Sequence, residues 1–228
     1  LKATAILPVK RFGAAKRRLA AGIDDERRAA LVEAMLEDVL EAIGAARSIE
    51  RTIVVTDEPR AAAAAARSGA EVVPDPGRGD GSEPAAGAAA DGAGPHSLAA
   101  LAGIARAEEL GARCAVLLPV DCPLLDPREL DRLLTGVPAS YVAVVPDRHG
   151  AGTNALVLAP PGAIRPAFGE GSCERHVAAA RAAGIPYGVE QLPSLALDLD
   201  TPADVVALTR ELEARPGRAR RTAKALGL

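Results

Sequence analysis

The chain has no tryptophan and only two tyrosines and two phenylalanines in 228 residues. Without aromatic platforms it cannot build the stacking surface on which single strands of nucleic acid are held. Its three cysteines, Cys114, Cys122 and Cys173, show no CxxC spacing. That excludes a zinc ribbon and a disulfide framework, and reduced thiols are the expectation. No apolar run approaches the roughly 20 residues that a membrane span requires. No secretory signal is recognisable either, so the expected setting is the cytoplasm, with no membrane partner. The net charge of −3 exerts no general pull on polyanions. Two nucleotide-binding signatures are also missing, the P-loop GxxxxGK[ST] and the dinucleotide fingerprint GxGxxG.

What is present is a soluble, globular composition, 49% hydrophobic and 25% charged, with much of the apolar share in alanine. Short apolar runs without polar alternation, "TAILPV" (4–9), "TIVVT" (52–56), "AEVVPD" and "CAVLLPV", suit strands buried on both faces. Helical patterns alternate with them. The clearest is "DDERRAALVEAMLEDVLEAIGAA", with acidic residues in its first turn and Leu31, Met35, Val39 and Ile43 at helical spacing. Further on, "YVAVVPD" and "NALVLAP" read as strands and "SCERHVAAARAAG" as a helix with Ser172 at its N-cap. "LALDLDTPADVVALTRELEA" reads as a strand, a turn and a final helix capped by Thr201.

Residues 75–95 are rich in Gly, Pro and Ala and read as a long loop. This alternation predicts an α/β protein, a single three-layer α/β/α sandwich with a mostly parallel sheet. One domain is expected over 1–214. The basic segment 215–228 reads as a solvated or frayed tail.

Ligands of such sheets bind beyond the carboxyl ends of the strands, and the chain's unusual residues gather there. "VKRFGAAKRRLA" places Lys10, Arg11, Lys16, Arg17 and Arg18 around a small-residue loop suited to nucleotide phosphates, although a charged surface turn would look similar. Asp121 in "LLPVDCPLLD" follows an apolar run directly, and a carboxylate so placed needs a partner or a metal. Asp198 and Asp200 alternate in "LDLD", so both could face one ion. Oxygen ligands beside phosphates favour Mg²⁺. Asp126 and Asp204 read instead as helix-start residues. In "PDRHGAGTNAL", Thr153 and Asn154 are placed to donate to a small anion. His149 is a weaker candidate for a base, because an anionic phosphate nucleophile needs none. "FGEGS" sets glycines and Ser172 at a helix start, an anion site or a plain capping turn.

Taken together, "LPVKRFGAAKRRLA", "LLPVDCPLL", "PDRHGAGTNALVL", "FGEGSCERHVAAARAAG" and "LDLDTPADV" resemble the guanylyltransferases that assemble the deazaflavin coenzyme F(420), over about residues 3–210. That family includes phosphoenolpyruvate and 2-phospho-L-lactate guanylyltransferases. The resemblance implies a Rossmann-like fold of the nucleotide-diphospho-sugar transferase type. It implies transfer of GMP from GTP to the phosphate of a three-carbon acid, with release of pyrophosphate. By position, Thr153, Gly169 and Ser172 would hold the acid. Asp121, Asp198 and Asp200 would hold Mg²⁺, and Lys10, Lys16 and Arg18 would receive the triphosphate, with Asp121, Lys16 and Arg18 serving catalysis. One departure stands out: the family's Gly-Leu-Asn helix start reads "GPHSLAALAGIA" here, without Asn. Other readings are a related transferase acting on molybdopterin or a sugar or polyol phosphate, and a non-catalytic nucleotide-binding protein of this fold. The sequence leaves the acid open among phosphoenolpyruvate, 2-phospholactate and 3-phosphoglycerate, and phosphoenolpyruvate is the expected one. A homodimer is compatible with the sequence, which leaves oligomeric state open.

Overall fold

A computed structural model describes residues 2–12, 24–77 and 94–228. The strands are β1 (Ala3–Pro8), β2 (Ile49–Val55), β3 (Glu71–Val73), β4 (Ala115–Leu117), β5 (Tyr141–Pro146), β6 (Thr153–Ala159) and β7 (Tyr187–Val189). They form one sheet in the order β3-β2-β1-β4-β6-β5-β7. All neighbours pair in parallel except at β6, which is antiparallel to both β4 and β5. The mostly parallel sheet expected from the sequence is therefore present.

The helices are α1 (Asp25–Ala45), α2 (Pro59–Ser68), α3 (Pro95–Glu109), α4 (Pro127–Leu134), α5 (Ser172–Ala182), α6 (Pro202–Ala214) and α7 (Arg220–Ala225). Two apolar clusters, one on each face of the sheet, define the three layers. One joins α1, α2, α4 and α6 to residues such as Leu7 and Val116, and the other joins α3 and α5 to Ile6 and Leu117. Neighbouring residues of β1 thus enter opposite cores, which is why its run shows no polar alternation. Leu31, Met35, Val39 and Ile43 are all buried, as the helical spacing requires. Asp24 starts α1 by accepting a hydrogen bond from the Arg27 N–H at 2.8 Å. Among the described residues no helix is long and apolar enough to cross a membrane.

The structure corrects three expectations. "LALDLD" is not a strand: Pro193–Leu195 form one 3-10 turn and residues 196–200 are irregular. The edge place beside β5 belongs to β7, a "YGV" run too short to read as a strand in the sequence. The 195–200 segment instead inserts Leu199 into the core and makes a backbone bond to residue 121. Second, the basic tail is not frayed. Residues 220–225 form α7, docked on α1 through buried Asp38, which accepts from the Thr222 N–H (2.8 Å) and the Thr222 hydroxyl (2.7 Å). Arg221 adds ion pairs to Glu37 and Glu41. Third, the N-cap of α5 is Gly171, not Ser172.

Close packing of α3 on the sheet depends on Gly103. A Cβ there would lie 2.3 Å from Ile6 Cγ2 and 3.1 Å from Val55 Cγ2, both on stiff β-branched side chains. Gly103→Ala should therefore destabilise the fold by about 1–3 kcal/mol, the usual scale of overpacking, despite alanine's better helix propensity. Urea unfolding would measure it, and a stabilised variant would contradict this packing.

Candidate active site

The strand order reverses between β1 and β4, the position where open α/β sheets leave a crevice for ligands. Lys10 and Arg11 follow β1 on one side of it, and Asp121 lies beyond β4 on the other. Lys10 and Arg11 also border a cleft of about 270 Å³ with Val9, Asp57, Asp75, Gly77 and Pro95. Phe12 anchors this loop: its ring is buried, and its N–H donates to Glu58 Oε2 at 3.1 Å. Lys16 and Arg18 lie outside the described residues.

The aspartates meet through the backbone. The Leu199 N–H donates to the Asp121 carbonyl at 3.1 Å, so the flanking Asp198 and Asp200 are carried to the end of β4. All three aspartates are half-buried and each already makes a polar or electrostatic interaction. Among the described residues, no group of three or more His, Cys, Asp or Glu side chains forms a ready metal cage.

Asp204 holds this segment in place. Its Oδ2 accepts from the Asp200 N–H (3.0 Å), the Thr201 N–H (2.7 Å) and the Thr201 hydroxyl (2.9 Å), and its Oδ1 pairs with Arg148. Burial pushes this carboxyl up, but the bonds from Arg148, Thr201 and Asp200 outweigh it and leave it below the usual carboxylate range. In the sequence Asp204 reads only as a first-turn helix residue. Its spacing of three from Thr201 is the capping-box signal, and that box is formed.

Reversal of β6 brings its first residues, Thr153 and Asn154, to the same rim as the ends of the parallel strands. The preceding turn is folded around Asp147, whose carboxylate accepts the His149, Ala151 and Gly152 N–H groups, each at 3.0 Å. An Asp leading a Gly-rich turn is the sequence signal for this role, less conspicuous than the rim residues. His149 is exposed and accepts from Arg148 Nε. Asn154 donates its amide nitrogen to the Leu195 carbonyl at 2.6 Å, which ties β6 to the 193–195 turn.

The glycine-rich turn before α5 completes the site. Gly169 (φ 116°) and Gly171 (φ 69°) take left-handed conformations that side chains resist. Arg175 fastens the turn by donating to the Ala167 and Glu170 carbonyls. The Cys173 N–H donates to the Ala151 carbonyl at 3.1 Å, joining the two glycine-rich turns. Ser172, nearly fully buried, donates to Thr153 Oγ1 at 3.1 Å. Thr153, Gly169 and Ser172 are therefore gathered as one polar cradle.

Behind it sits His176, fully buried, with Nδ1 3.0 Å from Thr153 Oγ1 and Nε2 accepting the Ala167 N–H at 2.8 Å. Burial, and then the charge of Arg175, push its pKa down to about 4, so the ring is neutral at pH 7. His176 carries no site motif of its own in the sequence. Its signal was the spacing of four from Ser172, which sets both on one helix face.

The chain is similar to known nucleotidyltransferases. Residues 11–186 match the MobA-like NTP transferase domain family. The chain is 43% identical to a phosphoenolpyruvate guanylyltransferase from Conexibacter woesei, over 96% of this chain and 92% of that one. It is 38% identical to a 3-phospho-D-glycerate guanylyltransferase from Phenylobacterium zucineum, over 91% and 90%. Its fold is similar to that of a protein from Desulfovibrio desulfuricans G20 assigned as a nucleotide-diphospho-sugar transferase. The TM-score is 0.72, the identity 16%, and the coverage 100% of this chain and 95% of that one.

The lowered Asp204 carboxyl makes a pH prediction. A depressed pKa contributes stability that is present above the unfolded value of about 4 and is lost as pH falls through the folded value. The stability gap between the parent protein and Asp204→Asn should thus be constant above about pH 5 and shrink at lower pH. Urea unfolding at stepped pH would measure it, and a gap that widened on acidification would refute it.

Proposed function

The chain belongs to the phosphoenolpyruvate guanylyltransferase family of MobA-like NTP transferases, and we propose on that footing that it transfers GMP from GTP to the phosphate of phosphoenolpyruvate, releasing pyrophosphate. The observation that carries the acceptor half of this reading is the cradle of Thr153, Gly169 and Ser172. It is small, lined by two hydroxyls and set at a helix N-terminus, which suits a compact anion better than a pterin or a sugar. The carboxylate of the acid would rest there, turning its phosphate toward the crevice between β1 and β4. This activity would place the protein in assembly of a deazaflavin coenzyme, as the resemblance implies.

Attack is an in-line displacement by the acid's phosphate oxygen on the α-phosphorus of GTP. The nucleophile is already an anion, so no strong base is required, and positioning with charge stabilisation carries the catalysis. Lys10 beside the crevice and Lys16 and Arg18 from the basic loop would take the triphosphate and steady the leaving pyrophosphate. Asp121, with Asp198 or Asp200, would hold a divalent ion, which we take to be Mg²⁺. One or two carboxylates with substrate phosphates suit that ion, and a full protein cage is not needed. The ion supplies charge neutralisation between the two anionic substrates. Asn154 would shape the acid site through its tie to Leu195.

Asp121→Asn should fold normally and lose turnover by about two to three orders of magnitude, the scale of removing one electrostatic stabiliser. Pyrophosphate release assayed with GTP, phosphoenolpyruvate and Mg²⁺ measures this, and near-parental release would refute the assignment. The acid itself is read by offering phosphoenolpyruvate, 2-phospholactate and 3-phosphoglycerate with GTP or ATP and weighing the adduct. Preference for 3-phosphoglycerate, the acid in the name of the Phenylobacterium relative, would overturn the choice of phosphoenolpyruvate.

A further inference from the structure

The direction of the hydrogen bond between His176 and Thr153 is fixed by the ring's other nitrogen. A backbone N–H can only donate, so the 2.8 Å bond from Ala167 N makes His176 Nε2 an acceptor. A neutral imidazole then carries its proton on Nδ1. That nitrogen lies 3.0 Å from Thr153 Oγ1, so the threonine oxygen is the acceptor there. The ring is held in this orientation by Phe168, edge-on at 5.2 Å, which is itself packed on His96 at 4.9 Å. The Phe168 N–H is tied in turn to Ser97 Oγ at 3.1 Å.

Counting protons shows what this achieves. Thr153 and Ser172 bring two hydroxyl protons, and their mutual bond at 3.1 Å uses one. Because His176 donates to Thr153, it uses none. One hydroxyl proton is left over, whichever hydroxyl donates to the other. No acceptor for it is found among the described residues. Thr153 is half-buried and lines a small cleft with Pro8, His96, Pro119, Asn154 and Phe168, whereas Ser172 is nearly fully buried. With the proton on Nε2 instead, Thr153 would have to donate to the ring and Ser172 to Thr153. The cradle would then offer two oxygens with no free proton and would repel an anion.

We propose that His176 is a positioning residue for acceptor recognition. Its Nδ1–H tautomer, imposed by the Ala167 N–H, leaves the Thr153–Ser172 pair one uncommitted hydroxyl proton, and that proton is the donor given to the anionic acid. The inference rests on the reading of Thr153 and Ser172 as the acid site. His176 itself touches no substrate and acts only through Thr153.

Two measurements test it. The first is nitrogen NMR of the full chain at neutral pH with the His176 ring assigned. A protonated Nδ1 and an unprotonated Nε2 are expected, and the opposite tautomer would overturn the proposal without involving any variant. The second is steady-state kinetics with phosphoenolpyruvate and GTP. His176→Phe should raise KM for the acid about tenfold or more, the scale of one hydrogen bond to a charged group, with KM for GTP unchanged. His176→Asn, whose amide nitrogen can replace Nδ1, should recover most of that loss. In a Thr153→Val background His176→Phe should add nothing further. Equal rises in both KM values, or loss in His176→Asn as large as in His176→Phe, would show a merely structural histidine. A Thr153→Val variant with unchanged KM for the acid would remove the acid-site reading, while the NMR result would still report the tautomer. Should His176→Phe fail to fold, His176→Asn and the NMR tautomer decide.

Discussion

The reversal of one strand is the constraint on which the site depends. Were β6 parallel to its neighbours, its beginning would lie at the opposite edge of the sheet from the ends of β1 and β4. Running antiparallel between β4 and β5, it delivers Thr153 to the edge where Lys10 and Asp121 emerge. The turn before it must then be tight and self-supporting. Asp147 achieves this by satisfying three backbone N–H groups that no sheet partner could reach.

Two well-engaged polar groups, Asp204 and His176, fix the loops around that edge. Asp204 gathers Arg148, Asp200 and Thr201, linking the turn before β6 to the start of α6. His176 gathers Thr153 and Ala167, linking β6 to the glycine turn. Leaving such a group half-satisfied in a low-dielectric interior costs more than the bond gained, so these loops have few alternative arrangements. Rigidity of this kind matters in a reaction driven by positioning, where a displaced acceptor loses most of the rate.

Much of the fold was legible in the sequence because buried strands and amphipathic helices write themselves as local patterns. The stripe of Leu31, Met35, Val39 and Ile43 and the capping Thr201 were plain for that reason. "LALDLD" misled because alternation shows which residues face inward, not whether a sheet edge is vacant. β7 had already taken the edge. The short "YGV" run carried too little pattern to be noticed. The basic tail looked solvated because its docking partner, Asp38, lies more than 180 residues away in sequence. Within the site, the rim residues were visible as oddities of composition. Asp147, Asp204 and His176 were not, since each works through contacts with backbone or side chains that only the folded chain assembles.

Among the described residues, the two halves of the sheet pair only along the β4–β6 ladder, a register of three residue pairs. On one side of that seam stand the basic loop and Asp121; on the other stand the turns at 147–152 and 167–172. On the proposed reading the seam would divide recognition into a donor module and an acceptor module that share an edge. Acceptor preference could therefore drift during evolution within residues 147–176 while the nucleotide-handling half stayed as it was.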